Sequence, residues 1–323
     1  MSYLCFDVGG TTIKAGIVDD GGRILARAEE PTLVSGGREA VLRQLVPLSK
    51  KLLEQSGPET GRIAGIGVGI PGFVENGDFI AKAPNLSWEN VYIKDALEEL
   101  LGLPVLVLND ANAAALGEMW QGAGRGCLNL LCLTVGTGIG AGVIIGGKIY
   151  TGAKGLAGEI GHLQVRVTGG RQCNCGKTGC LETESSGSAL VYYGEEAIIR
   201  NRQTELAVIR EEKGRLSPKD IVEAADRGDQ LAGEIIDQAA SYLGLTLANI
   251  YLVLAPQKII IGGGVAQAGD TLFNPLIRWF NRFSLKGVRG EEIIVPAKLG
   301  NDAGITGLAY LVKQNQGSSK AHA

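Results

Sequence analysis

Three cysteines, Cys173, Cys175 and Cys180, crowd into one short glycine-rich stretch, GHLQVRVTGGRQCNCGKTGC, residues 161–180. His162, one of only two histidines in the chain, opens the same stretch. One imidazole and three thiolates make a closed tetrahedral ligand set of the kind that holds structural zinc. A redox cluster and three buried thiols are the competing readings of these cysteines, and four ligands at this spacing favour the metal. Glu159 precedes His162 by three residues, so on a helical turn the two side chains project to neighbouring faces.

A second group of residues lies in glycine loops that leave apolar runs. DVGGTTIK, residues 7–14, combines Asp7, Gly9, Gly10, Thr11, Thr12 and Lys14. Backbone N–H groups of such a turn converge into a concave nest that holds phosphate. Asp7 adds an anchor for magnesium, the threonine hydroxyls reach phosphate oxygens, and Lys14 is a cation. TVGTGIGAG, residues 134–142, offers a second nest through Gly136, Thr137 and Gly138. IIIGGGV, residues 259–265, offers another close backbone approach at Gly262, Gly263 and Gly264. The plainer reading is that each is a hairpin turn requiring positive φ; three loops, two of them related by repetition, favour phosphate. Two look-alikes fail. GVGIPG, residues 67–72, fits a dinucleotide fingerprint literally, but Pro71 and FVENG after it do not open a helix. GKT at residues 176–178 lacks the earlier glycine of a Walker loop, because position 171 is Arg171.

LNDANAAALGE, residues 108–118, places Asn109 and Asp110 where a strand runs into a helix, the usual ligand crevice of an open α/β sheet. Asp110 reads either as the helix N-cap or as a general base that takes a proton from an attacking hydroxyl.

The elements around these residues set their positions. Residues 3–18 read as strand, glycine turn and strand, and residues 130–150 repeat the plan: Cys5 aligns with Cys132, Asp7 with Thr134 and Gly9 with Gly136. Each copy is expected to open a domain. Helices are expected at residues 38–56, 188–214, 217–253 and 300–314, and strands at residues 63–70 and 258–264. A strand entering a helix is expected over residues 104–120. This alternation indicates α/β layers in two lobes. At 323 residues with 45% hydrophobic content, the chain can fill two cores, and a net charge of −3 argues against a nucleic-acid surface or a polybasic membrane anchor. The amino terminus has no signal-peptide pattern, the apolar runs are too short to span a bilayer, and the cysteines do not form a secreted disulfide framework, so a cytoplasmic protein is expected. Cys5, Cys127 and Cys132 read as buried inert thiols, Trp88, Trp120 and Trp279 as packing residues, and His322 as a solvated tail residue.

Together these residues resemble the sugar kinases of the ROK family (repressors, open reading frames, kinases), within the actin, hexokinase and heat-shock-chaperone superfamily. The resemblance runs from DVGGTTIKAGIV to the closing DAGITGLA and is most specific in GEIGHLQV…CNCGKTGCLE, residues 158–182. It implies a two-lobed actin-like, hexokinase-type ATPase fold with an internal strand–turn–strand duplication and a nucleotide cleft between lobes. The small lobe is expected at residues 1–115 plus 301–323, and the large lobe, carrying the zinc motif and adenosine loop, at residues 116–300. The resemblance further implies ATP and magnesium, with Asp110 as base toward the 6-hydroxyl of a hexose, glucose first among the sugars. Sugar contacts are implied at Gly72, Asn85, Asn109, Asp110, Glu159, His162 and Glu182, and a homodimer or homotetramer is implied as the assembly. Kinases of N-acetylmannosamine, N-acetylglucosamine, fructose and allose share these motifs, and polyphosphate is an alternative donor. A sugar-sensing repressor would carry a helix-turn-helix ahead of the first loop, where only six residues precede Asp7 here. A chaperone-like ATPase would leave Glu159, His162 and Glu182 without a purpose.

Overall fold

The computed structural model describes residues 1–75, 77–200 and 203–320, with side chains as far as residue 316. His322 and the last residues of the tail lie outside the described residues. Two compact units emerge: residues 1–128 with 142–158 and 298–323, and residues 129–141 with 159–297.

The first unit is built on β1 (Ser2–Val8), β2 (Thr12–Asp19), β3 (Ile24–Pro31) and β4 (Ile63–Ile70), with α1 (Gly37–Ser56) between the last two. A small antiparallel sheet of β5 (Phe73–Glu75), β6 (Phe79–Ala83) and β7 (Trp88–Tyr92) follows, then α2 (Lys94–Leu101), β8 (Val105–Asn109) and α3 (Asp110–Trp120). The main sheet takes the order β3-β2-β1-β4-β8, antiparallel on the β3 side and parallel from β1 to β8. Nearly every residue of β1 is buried, as expected of a strand covered on both faces. One cover is α1, whose Leu45, Leu48 and Leu52 are fully buried with Ile13 and Ile17. The other is the C-terminal helix α11 (Ala303–Lys320, labelled in chain order), which packs on β1, β4 and α3 and runs past its expected end at Gln314. The glycines of β4 exist for that contact: a Cβ on Gly67 would lie 2.7 Å from Leu308 Cβ. The dinucleotide look-alike is therefore a helix-packing seam.

The chain continues through β9 (Leu130–Val135), β10 (Ile139–Ile145) and β11 (Lys148–Ile149), of which residues 142–149 group with the first unit; the second unit is then largely helical: α4 (Leu181–Ser185), α5 (Gly187–Ile199), α6 (Leu206–Lys213), α7 (Pro218–Asp226) and α8 (Gln230–Leu254). β12 (Lys258–Gly262), α9 (Asp270–Phe283), α10 (Gly290–Ile293) and β13 (Ile294–Pro296) complete it. The second five-stranded sheet takes the order β11-β10-β9-β12-β13, strand for strand the plan of the first sheet, so the duplication seen in residues 3–18 and 130–150 extends to whole sheets. The helix expected over residues 217–253 is two, because Gly228 turns at φ +94° and Asp229 Oδ1 accepts the Ala232 N–H at 2.8 Å to start α8. No helix among the described residues is long and apolar enough to cross a membrane. Cys5 and Cys132 are buried as expected, whereas Cys127, just before β9, is only half-buried.

Candidate active site and metal centre

In the first unit, β8 ends at Asn109 and α3 begins at Asp110. Asn109, not Asp110, is the N-cap: its Oδ1 accepts the Asn112 N–H at 3.0 Å, and its Nδ2 donates to the Gly72 carbonyl at 2.9 Å. The capping reading of Asp110 falls, and the Asn109 amide is substantially committed to the backbone. Gly72 sits at φ +114°, with the Lys82 carbonyl where a side chain would be. Asp110 Oδ1 accepts the Ala111 N–H at 2.8 Å, and burial pushes its carboxyl above the ordinary carboxylate range. A carboxylate raised in this way is a stronger proton acceptor at neutral pH.

Asp7 stands near the end of β1, opposite Lys14 across the β1–β2 ladder. Burial raises its carboxyl to about 7; the charge of Asp110 adds to that shift and Lys14 opposes it. The two carboxylates are thus close enough to feel one another. Lys14 Nζ donates to Asn301 Oδ1 at 3.0 Å, and the first turn of α11 presses on Asp7, since a Cβ on Gly304 would lie 2.7 Å from Asp7 Oδ2.

The turn between them is closed by Gly9 N–H donating to the Thr12 carbonyl at 3.0 Å. Neither Gly9 nor Gly10 has a positive φ, so the hairpin explanation for these glycines fails. Gly10 is required by close approach: its Cβ would meet the Asn85 carbonyl at 2.7 Å, which places exposed Asn85 against the loop. Among the described residues, no partner is present for the N–H groups of Gly10 and Thr11, the condition an anion nest requires.

The second unit holds the remaining loops. Gly136 N–H donates to the Gly138 carbonyl at 2.9 Å, and the Gly136 carbonyl accepts from Gly187 N–H at 2.7 Å. Gly136 and Gly138 also lack positive φ. A Cβ on Gly136 would project into open space, whereas one on Gly138 would collide with Glu182 Oε2. That same oxygen accepts the Ile139 N–H at 2.8 Å. Gly263 alone among Gly262, Gly263 and Gly264 has a positive φ, +88°, and a Cβ on Gly264 would be unobstructed.

His162 ends a 3-10 turn, Ile160–His162, that brings its Nε2 to 3.9 Å from Glu159 Oε2. Its Nδ1 faces the cysteines, 3.6 Å from Cys173 Sγ, and Cys175 Sγ lies 3.6 Å from Cys180 Sγ. All four ligand atoms fall within 4.8 Å of one another. Bonds of about 2.3 Å to sulfur and about 2.0 Å to nitrogen at tetrahedral angles give edges of about 3.5–3.8 Å, so this donor set fits zinc. Two turns form the cradle: Cys173 N–H donates to the Lys177 carbonyl at 2.8 Å and Gly176 N–H to the Cys173 carbonyl at 3.0 Å. Burial pushes the Cys180 thiol up to about 12, so a thiolate there needs a cation beside it.

Some long-range ties have no sequence signal. Fully buried Glu118 accepts the N–H groups of Ala123, Lys298 and Leu299 at 2.7–3.1 Å and so holds the chain leading into Asn301 and α11. The Glu182–Ile139 bond is likewise long-range.

Known proteins carry the same arrangement of elements. A glucokinase from Halalkalibacterium halodurans is 43% identical over 317 residues, covering 98% of this chain and 96% of that protein. The crystal structure of a ROK family glucokinase from Streptomyces griseus, in complex with glucose and AMPPNP, matches with a TM-score of 0.81 at 36% identity, covering 97% of this chain and all of that one. A ROK family transcriptional regulator, a homologue of the E. coli MLC protein, matches with a TM-score of 0.84 at 28% identity, over 97% of this chain and 78% of that one. The ROK family model spans residues 3–315, and with the duplicated sheets, the glycine loops and the His–Cys set all inside that span, the chain belongs to the ROK family.

Proposed function

We propose that this chain is an ATP-dependent hexose kinase that transfers the γ-phosphoryl group to the 6-hydroxyl of a sugar, with glucose as the substrate. One observation carries the reading: Asn109 takes the capping bond, which leaves Asp110, with its raised carboxyl, as a base beside Asp7 and the first glycine loop. A repressor that only senses sugar has no use for a base so placed. In the kinase reading Asp110 accepts the proton of the attacking hydroxyl, a contribution of roughly 100- to 10,000-fold in rate. Gly9, Gly10, Thr11, Thr12 and Lys14, with Gly136, Thr137 and Gly138, hold the nucleotide phosphates, and Gly262, Gly263 and Gly264 let the adenosine approach the backbone. Asp7 anchors magnesium, which when bound neutralises charge on the transferring phosphates. Gly72, Asn85, Asn109, Glu159, His162 and Glu182 orient the sugar. Zinc on His162, Cys173, Cys175 and Cys180 does no chemistry; the four residues orient the imidazole and pin the chain that leads to Glu182.

Glucose rests on the glucokinases among the relatives; N-acetylmannosamine, N-acetylglucosamine and fructose are the alternatives. The lobes at residues 1–115 plus 301–323 and 116–300, a homodimer or homotetramer, and a cytoplasmic location belong to the same proposal. A coupled assay over a panel of hexoses and amino sugars, with ATP and polyphosphate as donors, tests it. Turnover on glucose with ATP is the expected result, and ATP hydrolysis indifferent to every sugar would overturn it.

A further inference from the structure

The helix that carries Glu182, α4, is only five residues long. Isolated helices shorter than about 12 residues are marginal in water, so α4 must be held from outside. At its start, Leu181 N–H donates to the Leu163 carbonyl at 2.8 Å, directly after Cys180 of the metal set. At its end, Ser185 Oγ donates to the Ala239 carbonyl of α8 at 2.9 Å. Between these ties lies Glu184, 0% exposed. Tyr193 Oη from α5 donates to its Oε2 at 2.5 Å, and Arg166 Nη1 donates to the same oxygen at 3.4 Å.

Stability alone gives little reason for this pair, because the Arg166 side chain is 38% exposed and an ion pair with so open a partner contributes little. Its location does. Arg166 follows His162 by four residues, and its backbone N–H donates to the Gly179 carbonyl at 3.1 Å, beside Cys180. Its guanidinium then reaches α4, so a single side chain spans the segment bearing His162 and the segment bearing Glu182. Residues two apart on a helix point about 200° from one another. With Glu184 fixed in the interior, Glu182 is turned the other way, where it meets the Ile139 N–H.

We infer that the Arg166–Glu184 pair is a positioning clamp for the sugar site, acting alongside the metal but not through it, to fix Glu182 relative to His162. The inference rests on the reading of Glu182 and His162 as sugar ligands. Loss of the clamp weakens the sugar and spares the nucleotide, the base and the metal.

Two clamp variants test this, Glu184→Gln and the apolar pair Arg166→Met/Glu184→Leu, with Glu182→Gln as reference. Glu184→Gln keeps the shape and the Tyr193 bond, so it reports even if the apolar pair fails to fold. For each, KM for glucose, KM for ATP, kcat and zinc per chain are measured. We expect the glucose KM to rise about tenfold in both clamp variants, while the ATP KM and kcat stay within about twofold, the signature of lost ground-state binding. One zinc per chain should remain. If both clamp variants keep the wild-type glucose KM while Glu182→Gln raises it, the clamp is overturned and the site reading stands. If Glu182→Gln itself keeps the wild-type KM, the site reading falls and the clamp with it. Zinc lost in step with the rise in KM would also overturn the clamp, because the pair would then be acting through the metal.

Discussion

The carboxylate of Glu182 accepts the backbone N–H of Ile139 at 2.8 Å and fills the space beside Gly138. A proposed sugar ligand and the second glycine loop are therefore one piece of structure. Glu182→Gln keeps an oxygen for Ile139 and removes the charge that a sugar hydroxyl would donate to; Glu182→Ala removes both. We expect Glu182→Gln to raise the sugar KM about tenfold with ATP affinity nearly unchanged, and Glu182→Ala to weaken both ligands. Isothermal titration with each ligand separates the two variants, and equal effects on ATP would mean that the Ile139 bond plays no part in shaping the loop.

The glycines of that loop make different probes. A side chain at Gly138 must displace Glu182, so a Gly138 variant would damage sugar and nucleotide binding together. A side chain at Gly136 meets nothing. We expect Gly136→Ala to leave the melting temperature within a degree or two and to reduce ATP affinity about tenfold or more, because a methyl group would enter the space assigned to phosphate. Unchanged ATP affinity in a stable Gly136→Ala protein would remove this loop from the nucleotide site.

What the sequence made legible was local. His162, Cys173, Cys175 and Cys180, the candidate metal ligands, are gathered by tight turns within residues 162–180, so their proximity follows from spacing. The strand–turn–strand repeat is visible because Asp7, Gly9 and their counterparts Thr134 and Gly136 keep register. Asp110 was left between two readings, because N-cap and N1 differ by one residue; the Asn109–Asn112 bond gives the cap to Asn109. Contacts between distant segments left no pattern. Glu118 reads as one more acidic residue of α3 until Lys298 and Leu299 reach it, and Arg166 and Glu184 carry no motif. The glycines of β4 mimic a nucleotide loop because glycine answers any close approach, here that of Leu308 on α11.

Asp110→Asn tests the base directly. The amide is nearly isosteric and still accepts a hydrogen bond, but it cannot take a proton. Turnover should fall by about 100-fold or more while sugar affinity changes little. The pH dependence has a definite sign. A base whose carboxyl is raised takes up its proton at a pH where ordinary carboxylates remain ionised, so kcat/KM should decline on the acid side above the usual carboxylate range. Protonation of a group whose pKa is higher folded than unfolded adds stability as the pH falls, so Asp110 itself does not drive acid unfolding, and the acid limb reports the loss of the base rather than of the fold. A profile flat from neutral pH down to about 4, the ordinary carboxylate value, would return Asp110 to a structural role.

Removal of one metal ligand tests the His–Cys set. Cys175 is the exposed member, and serine at that position is a poor zinc ligand at neutral pH. Cys175→Ser touches no proposed substrate contact and leaves Asp110 intact. With zinc gone, the His162 ring is free to rotate, and the turns that lead through Cys180 into α4 lose a common anchor. We expect near-complete loss of bound zinc by elemental analysis, a lower melting temperature and severely weakened hexose phosphorylation. The Arg166–Glu184 pair should survive that loss, so adding Glu184→Gln to Cys175→Ser should weaken the sugar further than either change alone. A redox cluster behaves otherwise: activity would follow added oxidant and reductant, with no stoichiometric metal. Full kinase activity in a zinc-free Cys175→Ser protein would sink the structural-metal reading, whatever the fate of the clamp.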